Sequence, residues 1–134
     1  PDVLFLDEPT SGLDPINAKK IKRYITKLKG DGKTIFVTTH DMFTADEICD
    51  RVSFINGGEI RATAKPSVLK HEHGRHVVIV ELQDGRSAEF PTSGLGSNPE
   101  FLEFISRNEI LRMNTQEATL EDVFIKITGS RLSE

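Results

Sequence analysis

Asp7 and Glu8 are two adjacent carboxylates that follow four apolar residues, Val3-Leu4-Phe5-Leu6, and are stopped at once by Pro9. Proline has no backbone N–H, so it cannot continue a central strand and the chain must leave the sheet there. Asp7 and Glu8 then lie at the carboxyl end of a strand, where open α/β sheets place their ligands. Two neighbouring carboxylates repel each other unless a cation or an ordered water network uses them. A second run, Thr34-Ile35-Phe36-Val37-Thr38, ends in Thr39-His40-Asp41, which adds an imidazole to the candidate chemistry. The plain alternative for Asp7-Glu8 is an acidic, solvated strand end.

The elements between these residues decide whether they can meet. The unbroken apolar tetrad 3–6 predicts a strand buried on both faces. Asp14 followed by Pro15 predicts a helix start, with a side-chain cap and proline at the first helical position. Ile21, Tyr24, Ile25 and Leu28 recur at helical spacing as one apolar stripe, with Lys19, Lys20, Lys22, Arg23 and Lys27 on the wet side. Gly30 and Gly32 end that helix, and 34–38 is rich in branched and aromatic residues suited to a strand. Strand, helix and strand at this spacing form a βαβ unit with parallel strands and a right-handed crossover. Asp7-Glu8 and His40 therefore fall on the same edge of the sheet.

The order of these segments carries a resemblance. An apolar strand ending Asp-Glu-Pro, then Ser11-Gly12-Leu13-Asp14, then a strand ending Thr-Thr-His-Asp resembles the ATPase subunit of an ABC transporter, with its Walker B strand, D-loop and H-loop. The fold this implies is α/β: a partial P-loop NTPase (RecA-like) parallel sheet that lacks the phosphate-loop strand. The roles it implies are Mg2+ at Asp7, water activation at Glu8 as general base, and contact of His40 with the terminal phosphate of ATP. Ser11, Gly12, Leu13 and Asp14 would face a second ATPase subunit across the nucleotide. The phosphate loop Gly-x-x-x-x-Gly-Lys-Ser/Thr occurs nowhere in the sequence, nor do the family's Q-loop and Leu-Ser-Gly-Gly-Gln signature. All three precede the Walker B strand in such proteins, so the chain, opening in mid-motif at Pro1, reads as a carboxyl-terminal fragment. The intact parent would be an ATP hydrolase, and this chain alone is expected to bind MgATP weakly and to be inactive.

Further along, Asp41 can cap a helix over 42–49, and Asn56-Gly57-Gly58 predicts a tight turn between strands at 52–55 and 59–62. Pro66 with Val68-Leu69 suggests one helical turn. Lys70 to His76, with three histidines, reads as a solvated linker rather than a metal site. Beyond it, a hairpin from Val77 to Phe90, a helix after Asn98-Pro99 with Phe101, Leu102 and Ile105 inward, a strand over 109–113 and a helix capped by Thr119 give the order ββαβα. The division expected is 1–72 as half of an ABC ATPase domain and 73–134 as a small α+β accessory or regulatory domain. The stripe Leu120, Val123, Phe124 and Ile127 is expected to pack on the Val77 hairpin. The segment Ala118 to Phe124 is similar to the carboxyl-terminal end of drug- and antibiotic-exporting ABC ATPases.

With 134 residues, 28% charged, 37% hydrophobic and a net charge of −4, the composition is that of an ordinary globular chain without a basic nucleic-acid footprint. No apolar stretch is long enough to span a bilayer. The single cysteine, Cys49, excludes an internal disulfide, fits a reducing cytoplasm and reads as a small core residue. The resemblance implies a cytoplasmic setting, peripheral to the inner face of the membrane through permease subunits, with a second ATPase subunit as partner. Two other readings are a soluble ABC ATPase of translation or DNA repair, and a non-catalytic dimerisation module. The resemblance also puts the absent phosphate-loop strand between 34–38 and 52–55. Either the second of these slides in beside the first, or copies of the chain associate through open edges; self-association is the outcome expected.

Overall fold

Pro9 ends the first strand as its missing N–H requires, and the crossover that follows sets the geometry of everything around it. The computed structural model describes residues 2–129; Pro1 and residues 130–134 lie outside them. Strand β1 (Val3–Asp7), helix α1 (Pro15–Gly30) and strand β2 (Thr34–Thr38) form the βαβ unit, with the strands parallel and in step from Val3 opposite Thr34 to Asp7 opposite Thr38. Asp14 caps α1, its Oδ1 accepting from the Asn17 N–H at 2.8 Å, with Pro15 in the first turn.

The strands are not buried on both faces as expected. Leu4, Leu6, Ile35 and Val37 are half-buried on one face, while Val3, Phe5 and Phe36 are 48%, 73% and 58% exposed on the other. Both strands alternate because only one face of this two-stranded sheet is covered, and α1 packs on β2. Tyr24 leaves the predicted stripe for the same reason. Ile25 is buried and Ile21 and Leu28 half-buried, but Tyr24, at the margin of the stripe, is 59% exposed over a sheet too narrow to reach it. Lys22 also departs from the wet side, since its Nζ meets Glu47 at 2.9 Å, and Lys29 reaches Asp50 at 3.1 Å. These pairs tie α1 to helix α2 (Met42–Ile48) and the turn after it.

Strands β3 (Val52–Asn56) and β4 (Glu59–Ala64) form the predicted hairpin, with Gly57 and Gly58 at φ +62° and +77°, a region open chiefly to glycine. This hairpin stays separate from β1–β2, so 52–55 does not slide in beside 34–38. Helix α3 (Pro66–His73) replaces the expected single turn and absorbs Lys70, His71 and His73 from the supposed linker. Leu69, 2% exposed, anchors it. Gly74 follows, where an added Cβ would collide with the Lys70 carbonyl and come within 2.9 Å of the Ala118 Cβ. The remaining strands, β5 (Val77–Leu82), β6 (Ser87–Pro91) and β7 (Ile110–Gln116), form an antiparallel sheet in the order β6-β5-β7, with helix α4 (Pro99–Ser106) beside it.

Two cores result. Val78, Val80, Leu82, Phe90 and Phe101 form one, joined by Phe104 and Ile105, whereas Leu102 turns out at 43% exposure. The other unites Ala45 of α2, Phe54 of β3 and Leu69 of α3 with Leu120, Val123 and Phe124 of helix α5 (Leu120–Thr128). The last helix therefore packs on α2, β3 and α3, not on the Val77 hairpin as its sequence position suggested. Among the described residues the fold is mixed α/β with three small sheets, and no helix is long and apolar enough to cross a membrane.

Candidate functional site

Parallel pairing in step brings Asp7 directly opposite Thr38, and the Thr38 hydroxyl donates to Asp7 Oδ1 at 2.6 Å. Glu8 extends the ladder by one bond, its N–H donating to the Thr38 carbonyl at 2.7 Å. Its φ is +45°, the one positive value outside glycine among the described residues, a conformation that costs an L-residue roughly 1–2 kcal/mol. That turn swings the Glu8 side chain toward the end of β2. There Oε1 accepts from the His40 backbone N–H at 2.9 Å and lies 2.6 Å from His40 Nδ1, while Oε2 accepts from the Thr39 hydroxyl at 3.0 Å.

Burial acts to raise the Glu8 pKa, but the hydrogen bonds from His40 and Thr39 outweigh it and hold the carboxyl below its ordinary value. An ionised carboxylate only accepts, so the proton between the pair belongs to His40 Nδ1. The His40 side chain is 70% exposed and its Nε2 has no partner among the described residues, so the outer nitrogen is open to a ligand.

Beyond His40 the chain is fixed by Asp41. Its N–H donates to the Thr39 hydroxyl at 2.9 Å, and its carboxylate accepts from the Phe43 and Thr44 N–H groups at 3.1 and 3.3 Å and from the Thr44 hydroxyl at 2.8 Å. Those bonds overcome the opposing effect of burial and lower the Asp41 pKa as well. Both carboxyls are therefore more acidic folded than unfolded. The unfolded chain takes up their protons first on acidification, so their contribution to stability is full at neutral pH and is lost as pH falls below about 4 through the folded values. Melting followed from pH 7 to pH 3 should show that decline, and Asp41→Asn should flatten it; an Asp41→Asn profile parallel to that of the unaltered chain would show that Asp41 contributes nothing to it.

The other expected residues sit apart from this cluster. Ser11, Gly12 and Leu13 are exposed on the turn after Glu8, with the Ser11 N–H donating to the Glu8 carbonyl at 3.1 Å. Asp14 is occupied as the α1 cap. Thr38 and Thr39, which sequence reasoning did not assign, are the donors that hold the two carboxylates; the in-step parallel register was the signal that could have placed Thr38. Cys49 ends α2 half-buried against the core of Ala45, Phe54 and Leu69, and burial pushes its thiol up, which fits a packing role. Among the described residues no group of three or more His, Cys, Asp or Glu could hold a metal ion. The His71 and His76 rings lie 4.9 Å apart, with His76 Nε2 on the His71 carbonyl at 2.9 Å. Asp7 offers a hard carboxylate at the exposed strand end. That suits Mg2+, which takes one or two carboxylates and fills its remaining positions with phosphate oxygens and water.

No protein-family profile matches the chain. It is 49% identical over 137 aligned residues, 99% of the chain and 46% of the relative, to a fluoroquinolones export ATP-binding protein of Mycobacterium tuberculosis. To Nod factor export ATP-binding protein I of Burkholderia orbicola it is 33% identical over 150 residues, 100% of the chain and 49% of that protein. A solved structure of the ATP-binding subunit of an ABC transporter matches with a TM-score of 0.50 and 26% identity, over 54% of this chain and 30% of that one. The chain spans about half the length of the curated relatives it matches.

Proposed function

This chain belongs with the ATP-binding proteins of ABC transporters, and on that footing we propose that it supplies the water-activating half of an exporter's ATP-hydrolysing site. The observation that carries the reading is the Glu8 carboxylate, held ionised between His40 and Thr39 one residue from Asp7. Asp7 would hold Mg2+, which when bound neutralises phosphate charge. Glu8 takes a proton from the attacking water as its oxygen bonds to the terminal phosphorus. The bond to the leaving diphosphate breaks with its electron pair on the diphosphate oxygen. The open His40 Nε2 faces outward, where a terminal phosphate can be met.

The exposed turn Ser11-Gly12-Leu13, with Asp14 fixed as a cap behind it, supports a role in facing a second ATPase subunit. Membrane permease subunits complete the assembly, which places the protein at the cytoplasmic face of the membrane. The transporter names of the relatives favour export over a role in translation or DNA repair. The RecA-like arrangement is supported by the parallel β1–α1–β2 unit. The test is phosphate release from ATP with Mg2+: the intact protein should release it and this chain alone, without a phosphate loop, should not. Intact protein with no such activity would overturn the reading.

Self-association of this chain is part of the same proposal. Among the described residues the outer edges of β1 and β2 pair with no other strand, and Val3, Phe5 and Phe36 expose an apolar face beside them, with the Phe5 and Phe36 ring centroids 5.6 Å apart. Light scattering across a dilution series should show mass rising with concentration. A monomer throughout would contradict it.

A further inference from the structure

The bonds around Glu8 distinguish its two oxygens. An ionised carboxylate offers about four lone-pair sites, two on each oxygen. Oε1 faces two donors, the His40 N–H at 2.9 Å and Nδ1 at 2.6 Å, and is full. Oε2 receives one, the Thr39 hydroxyl at 3.0 Å, and keeps one site for a further donor. We propose that Thr39 is a positioning residue that fixes Glu8 Oε2 as the oxygen receiving the water's proton. This rests on the reading of Glu8 as general base.

Thr39 is built for that task. Its hydroxyl has a single hydrogen, and the Asp41 N–H already occupies a lone pair of the oxygen at 2.9 Å, so the hydrogen is free to be given to Oε2. Threonine is stiff at χ1, which leaves the hydroxyl little freedom to wander. Asp41 in turn is anchored by the α2 N-terminus and by Thr44, which is fully buried. Helix, cap, hydroxyl and carboxylate thus form one chain that sets where Oε2 stands. In the step itself the water oxygen bonds to phosphorus, its O–H bond gives the proton to Oε2, and the bond to the diphosphate breaks with its pair leaving on oxygen. Thr39 gains and loses nothing; it holds the acceptor in line.

The test is steady-state kinetics of the intact protein with MgATP, comparing Thr39→Val, Thr39→Ser and Glu8→Gln. A hydrogen bond to a charged group and small errors of alignment both matter at about the tenfold level or more. Thr39→Val should therefore lower kcat at least about tenfold with KM nearly unchanged, and Thr39→Ser should restore kcat to within about threefold, since it keeps the donor. If Glu8→Gln is inactive while Thr39→Val turns over normally, Thr39 does not position Oε2 and the base reading survives. If Thr39→Ser is as slow as Thr39→Val, the methyl and not the hydroxyl matters, and the proposal fails. If Glu8→Gln itself turns over normally, the base reading fails and the proposal with it. Thr39→Ala, read against Thr39→Ser in the same way, substitutes for Thr39→Val should the latter not fold.

Discussion

Phe124→Ala is expected to lower stability by about 3–5 kcal/mol, the usual cost of emptying a buried phenylalanine site. Phe124 is 4% exposed, and its ring meets that of Phe54 edge-on with centroids 5.4 Å apart. Small domains have only about 5–15 kcal/mol in all, so the loss is a large share. Where the damage falls follows from the packing. Phe124 shares its core with Ala45, Phe54 and Leu69, so α2, β3 and α3 should loosen together. Because α2 begins directly after the His40-Asp41 turn, the loop holding Glu8 should loosen with them, contrary to the sparing expected had α5 packed on the Val77 hairpin. Amide exchange should quicken in α2 and β3 while protection at Val80 and Leu82, in the separate core with Phe90 and Phe101, persists. An unchanged melting temperature would show that Phe124 carries little of the packing.

The part of the molecule legible beforehand is the part written in local chemistry. Asp14-Pro15, Asp41, Asn98-Pro99 and Thr119 each cap the helix they announce, because a short side-chain acceptor ahead of a helix has little else to bond. The spacing of β1, α1 and β2 sufficed to bring Asp7-Glu8 and His40 to one edge. What an amphipathic stripe does not contain is the identity of its partner. Leu120, Val123 and Phe124 would cover either hairpin equally well, and only tertiary fit selects Phe54 and Leu69. The helix over His71 and His73 is hidden because its polar residues mimic a linker, and only Pro66 and Leu69 mark its buried side among the described residues. The unbroken hydrophobicity of the tetrad 3–6 predicts full burial, yet apolar residues tolerate exposure, and here Phe5 stays 73% exposed beside Phe36. The Thr39 contact was illegible since it needs the left-handed turn at Glu8, and glutamate carries no sequence signal for that conformation.

Glu8→Gln in the intact protein is expected to abolish most turnover while leaving nucleotide binding in place. Glutamine keeps the size and shape of the side chain and its Oε1-type acceptor, so the His40 and Thr39 loop should remain ordered. It loses the charge that accepts a proton, and general-base catalysis is worth about 10²–10⁴-fold. The effect should therefore fall on kcat, with little change in the apparent affinity for MgATP. The decisive measurement is phosphate release at saturating MgATP from the intact protein beside its Glu8→Gln variant. A rate lowered at least about a hundredfold with nucleotide still bound is the result expected of Glu8 as the base; a rate close to that of the unaltered protein would contradict it.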